Sequence, residues 1–364
     1  MERIRGLDTI RGFCMWIMIY GHMVDWWLIE SDDWLRQWLF GFLESIGATG
    51  FLFVSGVSAA LAFRSNELKL HALNNFNKLT VRDVYFLRAF IILLIGFTYN
   101  FFVAVLWGGD ITDLWSWLVL QTIGVSLILT WPFMRTGRTF RIFFGIFIFI
   151  LNYFLLGILL PYQEQPNIGG SLFHLLFNPL TQYPILMYFS VFLIGTAIGD
   201  KISEINILED QNERRIMFKN KFIIPTSIFG TILLLFGIIN FFPDFLFFNT
   251  ISAFAYSLGI ILILLSLFTG IQIFELIKTK KRYRYLYFYS YYSFTIYLGH
   301  NVLYFLFIDQ LNFVTIWFAI IGGSILFGFL FRAMYLKLGA KVSLKTGISV
   351  MSFILATKLR KNKK

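Results

Sequence analysis

The sequence predicts an all-α fold, a polytopic bundle of about ten transmembrane helices with both termini cytoplasmic. Three observations carry this expectation. Of 364 residues, 58% are hydrophobic, 20% aromatic and only 14% charged, and 45 phenylalanines are far more than one soluble core absorbs, whereas lipid-facing helices use them freely. Apolar runs recur at close to the ~20 residues that cross a bilayer as helix. With the N-terminus inside, every one of the 31 lysines and arginines except Arg36 falls in inner loops or the two ends of the chain, as the positive-inside rule requires. The net charge of +11 therefore reports topology and anionic lipid, and it excludes nucleic acid as the partner.

The elements follow in order. The first span, 8–29, has no small-residue cleavage site after Trp26-Trp27 and so is a helix to be kept, not a cleavable leader. It holds Cys14, and a single cysteine leaves no intramolecular disulfide. The second span, 43–64, carries Gly50, Ser55, Gly56, Ser58, Ala59 and Ala60 and ends at Arg64, the small residues being the usual device for close helix packing in a membrane. Spans 85–107 and 114–134 enclose a tight outer loop with Asp110 and Asp113, behind Asn100 and before Gln121. After 142–160 comes an outer segment, Pro161–Gln182, whose short apolar piece Leu172–Leu176 predicts a partial or interfacial helix; His174 and His71 read as loop residues. Span 183–199, a charged connector at Lys201–Lys221, and spans 222–241, 247–273, 289–308 and 314–333 complete one membrane domain, 1–333. The basic cytoplasmic tail, 334–364, contains Val350–Thr357, too short to span and flanked by Lys345 and Lys358, which fits an interfacial helix.

The candidate chemistry concentrates on spans one and nine. Arg11 and His22 share the first helix with a rise of about 16 Å between them, so an arginine at one membrane face is followed by an imidazole near the middle. Ionisable side chains at that depth are expensive and point to function. Asp25 lies three residues beyond His22 and can share its helix face, as a group orienting a general base does. Span nine reads Tyr289-Ser-Tyr-Tyr-Ser-Phe-Thr-Ile-Tyr297-Leu-Gly-His300 and enters from the inside, which brings His300 to the level of His22. Arg64 and Arg88 join Arg11 at the inner face, where three guanidinium groups suit phosphates. Ser55, nine residues from Arg64, stands near the same depth as His22 and can line a cavity. The spacing of His, Cys, Asp and Glu holds no metal-site pattern.

These residues resemble a family. Leu7-Asp-Thr-Ile-Arg11-Gly followed by an apolar run, His22 and Asp25 is similar to the opening of prokaryotic proteins related to the heparan-α-glucosaminide N-acetyltransferase catalytic domain. Phe51-Leu-Phe-Val-Ser-Gly56, Phe86-Leu-Arg88-Ala-Phe with Gly96, and Leu120-Gln-Thr-Ile-Gly124 fall in that family's order. The acyltransferase-3 group shares an arginine and histidine at the Arg11–His22 separation, and a late run similar to Tyr292–His300. The resemblance covers most of residues 5–305. It departs from the animal lysosomal members, which carry Asn at the place of His22 and a catalytic His in the following outer loop, whereas residues 30–37 hold no His.

The resemblance implies a membrane-embedded acyltransferase that takes an acetyl or similar short acyl group from cytoplasmic acetyl-CoA to an amine or hydroxyl of an extracytoplasmic glycan or amino sugar. With this chemistry the residues above are expected as follows: Arg11, Arg64, Arg88 and Ser55 at the donor, His22, Asp25 and His300 in catalysis, and Tyr297, Asn100, Gln121 and Asp110 toward the acceptor, a solvated turn explaining Asp110 and Asp113 equally well. His300, Ser55 or Tyr297 would steady the developing oxyanion. Location in the cell membrane follows, no metal is called for, and a homodimer is compatible with the reading. The competing class is a proton-coupled secondary transporter or a lipid or glycan flippase using the two histidines as a relay; the chain shows no paired Gly/Pro-broken helices in matching halves, which such transporters use.

Overall fold

Long apolar runs leave the backbone no hydrogen-bonding partner but itself, and in an apolar medium that constraint selects helix. A computed structural model describes residues 3–72, 78–107, 114–178, 183–240, 250–277 and 285–361, and among these there is no strand, only an isolated bridge between Leu28 and Leu311. In chain order the helices are α1 (Arg5–Trp27), α2 (Asp33–Ala72), α3 (Lys78–Trp107), α4 (Val119–Thr130), α5 (Arg138–Leu159), α6 (Ile168–Phe177) and α7 (Ile185–Asn206). They continue with α8 (Gln211–Phe218), a π-turn (Lys219–Ile223) leading into α9 (Ile224–Ile239), α10 (Ile251–Ile273), α11 (Tyr285–Tyr291), α12 (Ser293–Gly299), a 3-10 segment (His300–Phe305), α13 (Thr315–Lys337) and α14 (Leu344–Lys361).

Seven of these, among the described residues, are long and apolar enough to cross a membrane: α2, α3, α5, α7, the α8–α9 run, α10 and α13. The other three expected spans exist as helix but take different forms. α1 has the length, yet Asp8, Arg11, His22 and Asp25 are distributed along it. α4 has 12 residues, about 18 Å, well short of a ~30 Å hydrocarbon layer. The ninth is not one rod: it breaks at Tyr292 (φ −98°, ψ 17°), resumes as α12 and tightens into the 3-10 segment at His300. Within Pro161–Gln182 the partial helix is α6, so His174 stands on a helix, its Nε2 donating to the Gln163 carbonyl at 2.9 Å.

Contacts divide the chain into two units, Leu52–Ile207 with Ile348–Lys364, and Glu2–Phe51 with Leu208–Gly347. In the first unit α2 and α7 approach until backbones touch: a Cβ on Gly56 would lie 2.1 Å from the Phe192 carbonyl oxygen, so the small residues of this stretch act as packing surface. Tyr85 of α3 donates to the Leu127 carbonyl of α4 at 2.8 Å. From α14 this unit takes Ile348, Ser352 and Ala356, buried at four-residue spacing, and Arg360 continues the stripe by donating to Asp83 through Nε and Nη2 at 3.0 and 2.6 Å.

In the second unit α1 is the central rod. Gly12 faces α11 so closely that a Cβ there would sit 1.9 Å from the Leu286 carbonyl oxygen. At the far end the last carbonyls of α1 are capped by returning chain: Trp26 O accepts from Asp309 N at 3.1 Å, and Trp27 O from Gln310 N and Leu311 N at 3.1 and 2.7 Å. Asp309 adopts φ +49° to make this return. Gly12→Ala is expected to lower the melting temperature of detergent-solubilised protein, by an overpacking cost of about 1–3 kcal/mol. Gly157→Ala, on α5 with nothing within 4 Å of its missing Cβ, is the control and leaves the transition unmoved. Equal melting of both variants would contradict the α1–α11 contact.

Candidate functional site

The far end of α1 gathers three rings. The His22 and His300 imidazoles have centroids 4.9 Å apart with planes 30° from parallel. The Trp26 indole lies 4.7 Å from His22 at 15° and 5.8 Å from His300 at 16°. Helical geometry puts His22 and Trp26 on one face, four residues apart, and the tightening at the end of α12 turns His300 toward them. His300 Nδ1 lies 2.6 Å from the Tyr297 carbonyl oxygen. A carbonyl only accepts, so Nδ1 carries the proton and the neutral ring keeps its lone pair on Nε2. That tautomer removes His300 from the oxyanion role, since a neutral Nε2 has no hydrogen to donate. Tyr297 is buried with its ring 5.7 Å from His300. Trp27 anchors the same corner: its Nε1 donates to the Leu303 carbonyl at 2.8 Å and its ring meets Phe307 edge-on at 5.1 Å.

Asp25 differs from its expected role. Its carboxylate faces Arg36, 4.0 Å from Nε, while Arg36 also pairs with Asp33 at 3.2 Å and donates to the Leu28 carbonyl at 3.2 Å. A full positive charge attracts a carboxylate more strongly than a neutral imidazole does, which explains why sharing a helix face with His22 did not decide its partner.

At the other end of α1, Arg11 is buried, 8% exposed. Its Nη1 makes long contacts of 3.4 Å to Asp8 Oδ1 and Ser290 Oγ. Asp8 also accepts from Arg3 Nε at 2.8 Å, and the Arg3 guanidinium lies 5.1 Å over the Tyr287 ring. Arg11 is therefore set beneath Arg3 and Arg5, both exposed, and is not itself the open mouth of a phosphate site.

The remaining expected residues belong to the first unit. Arg64 is committed to protein: Nε and Nη2 clamp both Asp200 oxygens at 2.8 Å, Nη1 binds Glu67 at 2.7 Å, and Nη2 reaches the Met134 carbonyl at 3.1 Å. Arg141, wholly buried, pairs with the same Asp200 and donates to Thr196 Oγ1 at 3.2 Å. A guanidinium holding two carboxylates has little left for a donor phosphate, so Arg64 is corrected from a phosphate ligand to a structural one. Asn100 and Gln121 are each 1% exposed. Gln121 Nε2 donates to Asn100 Oδ1 at 2.5 Å, and Asn100 Nδ2 donates to the Ser116 and Leu114 carbonyls at 2.8 and 3.3 Å. They pin α3 and α4 to the 114–116 backbone and are sealed from an acceptor. Ser55 and Arg88 are half-buried on α2 and α3. Asp110 and Asp113 lie outside the described residues.

Asp8, Trp26, Arg141 and Asp200 were not singled out by sequence. Asp8 is three residues from Arg11, a helical pairing distance, and Asp200 is the first acid after the apolar run of α7, buried where a carboxylate calls for a cation. Among the described residues no three His, Cys, Asp or Glu side chains gather as a metal site.

The family model described as heparan-alpha-glucosaminide N-acetyltransferase, catalytic, matches residues 3–242 of the 364. No curated protein matches the chain.

Asp200→Asn is expected to leave two guanidinium groups without their shared counter-charge, at a cost on the order of 3–5 kcal/mol, seen as a large fall in thermal stability. Arg64→Gln follows in the same direction, with acetyl-CoA affinity of the folded protein within twofold of wild type. A selective loss of affinity at unchanged stability would return Arg64 to the donor site.

Proposed function

We propose, for a chain that belongs to the heparan-alpha-glucosaminide N-acetyltransferase catalytic family, that it moves an acetyl group from cytoplasmic acetyl-CoA to an amine or hydroxyl of an extracytoplasmic sugar. Family membership makes it a membrane acetyltransferase; the donor, the acceptor class and the residues are our reading. The observation that carries it is a pair of imidazoles 4.9 Å apart, His300 from the 3-10 segment and His22 from α1, the helix whose opposite end collects Arg3, Arg5 and Arg11. Along α1 Arg11 stands about 16 Å and Arg5 about 26 Å from His22, a span that a pantetheine arm and the arginine side chains would bridge together. The basic loops that this orientation makes cytoplasmic support entry of the donor from that side.

Arg3 and Arg5, with Arg11 behind them, would hold the donor's phosphates. At the other end His300, with Nε2 as its lone pair, accepts the proton from the attacking amine or hydroxyl. The new bond forms between that nucleophile and the thioester carbonyl carbon, the carbon–sulfur bond breaks, and the departing thiolate recovers a proton from the imidazolium. His22 lies against His300 as its partner, either sharing that proton or carrying the acyl group between donor and acceptor. The tautomer set by the Tyr297 carbonyl supports His300 as proton acceptor.

The test is purified protein with radiolabelled acetyl-CoA and a panel of amino sugars and glycans, with CoA release and label transfer both measured. Acetyl-CoA should raise the melting temperature by preferential binding to the folded state. His22→Ala should abolish transfer while keeping that stabilisation, and His300→Ala should lower kcat more than it raises KM for the donor. Wild-type turnover in His22→Ala would remove the site from this end of α1. Uptake of sugar by proteoliposomes without any CoA, and no response to millimolar acetyl-CoA, would replace the enzyme with a transporter.

A further inference from the structure

We propose that Trp26 is a positioning residue that fixes the planes of both imidazoles, an inference that rests on the acyltransferase reading above. Three rings form a compact triangle with sides of 4.7, 4.9 and 5.8 Å, and the indole is within 16° of parallel to each imidazole. The second dihedral of histidine is a broad, soft torsion. A ring at the end of such a torsion needs flat neighbours to hold its nitrogens in one direction, and misplacement by about 1 Å can cost 10²-fold in rate. An aliphatic side chain at this position offers no flat face and leaves the ring planes unguided.

Trp26 is itself held at its backbone and at its ring. Trp26 is 8% exposed. Its carbonyl accepts from Asp309 N at 3.1 Å, and Tyr304 meets its ring edge-on at 5.6 Å. The neighbouring Trp27 pins the 3-10 segment that carries His300 through its bond to the Leu303 carbonyl. One tryptophan thus fixes the backbone between the two histidines, and the other presents a rigid face to their rings. An imidazole that takes up the acceptor's proton becomes a cation beside an indole, a favourable pairing that a leucine cannot offer.

The experiment compares Trp26→Phe and Trp26→Leu with wild type in steady-state acyl transfer, alongside His22→Ala and His300→Ala. Trp26→Leu should lose at least about 20-fold in kcat with KM for acetyl-CoA within twofold, and Trp26→Phe should recover to within about fivefold of wild type because it restores an aromatic face. Carbethoxylation of His22 and His300, followed by peptide mass spectrometry, should run faster in Trp26→Leu than in wild type or Trp26→Phe. If Trp26→Leu is not recovered as a monodisperse protein, Trp26→Met supplies the apolar variant without a flat face. Wild-type kcat in the aliphatic variant, or equal losses in the aliphatic and phenylalanine variants that track their melting temperatures, would overturn the positioning role. Should the histidine variants be dead while the aliphatic variant runs at full rate, this inference fails and the acyltransferase reading stands. Should the histidine variants remain active, that reading fails and takes this inference with it.

Discussion

A helix ending in apolar surroundings cannot leave its last carbonyls bare, and the closure of α1 is the constraint on which the rest of this site depends. Trp26 O and Trp27 O are satisfied by the amides of 309–311, and Ile29 N in turn donates to Leu311 O at 2.9 Å. On its way to 309–311 the chain leaving α12 passes through the 3-10 segment that begins at His300, narrower than α-helix and with a rise of ~2.0 Å per residue. Capping one helix thereby fixes where another presents its imidazole. The same backbone also carries Trp27 to the Leu303 carbonyl, so the distance between His22 and His300 is held by main-chain hydrogen bonds as well as by ring packing.

Buried ionisable groups in this protein divide into two kinds by what they meet. Arg64, Arg141 and Asp200 form a knot in which each charge has its opposite, joined by Glu67 and by Thr196. Such a knot offsets its desolvation with ion pairs and gains shape. Arg11 belongs with them in part, through Asp8 and Ser290. The two histidines meet aromatic faces and a backbone carbonyl instead. The His300 ring, its Nδ1 proton given to the Tyr297 carbonyl, keeps a proton-accepting Nε2, and that difference separates it from the structural charges.

Much of the fold was legible because apolar runs and their period are local properties. All ten expected spans correspond to helix, and the short apolar piece near Leu172 is α6. His22 and His300 could be matched by counting residues along two helices of opposite sense. What was hidden depends on partners remote in sequence or on small departures from ideal geometry. Asp200 neutralises Arg64 across 136 positions, and nothing in the immediate sequence of either names the other. Asn100 and Gln121 look like polar side chains offered to a ligand, yet Gln121 Nε2 donates to Asn100 Oδ1 and Asn100 Nδ2 to the 114–116 backbone. The break at Tyr292 lies in a stretch with no proline and no charge to announce it. Asp25 shows the reverse error, in which the nearest residue on the helix was outcompeted by a cation eleven positions away.

The family match ends at residue 242, while His300 and Tyr297 lie beyond it. One imidazole of the pair therefore falls in the matched region and the other outside it, and only the folded chain joins them. The second unit contains both, because it combines Glu2–Phe51 with Leu208–Gly347. A pair assembled in this way can keep α1 constant while the C-terminal helices change what stands opposite His22. Residues 30–37 hold no histidine, and the imidazole that meets His22 comes from the other end of the chain, at the start of the 3-10 segment.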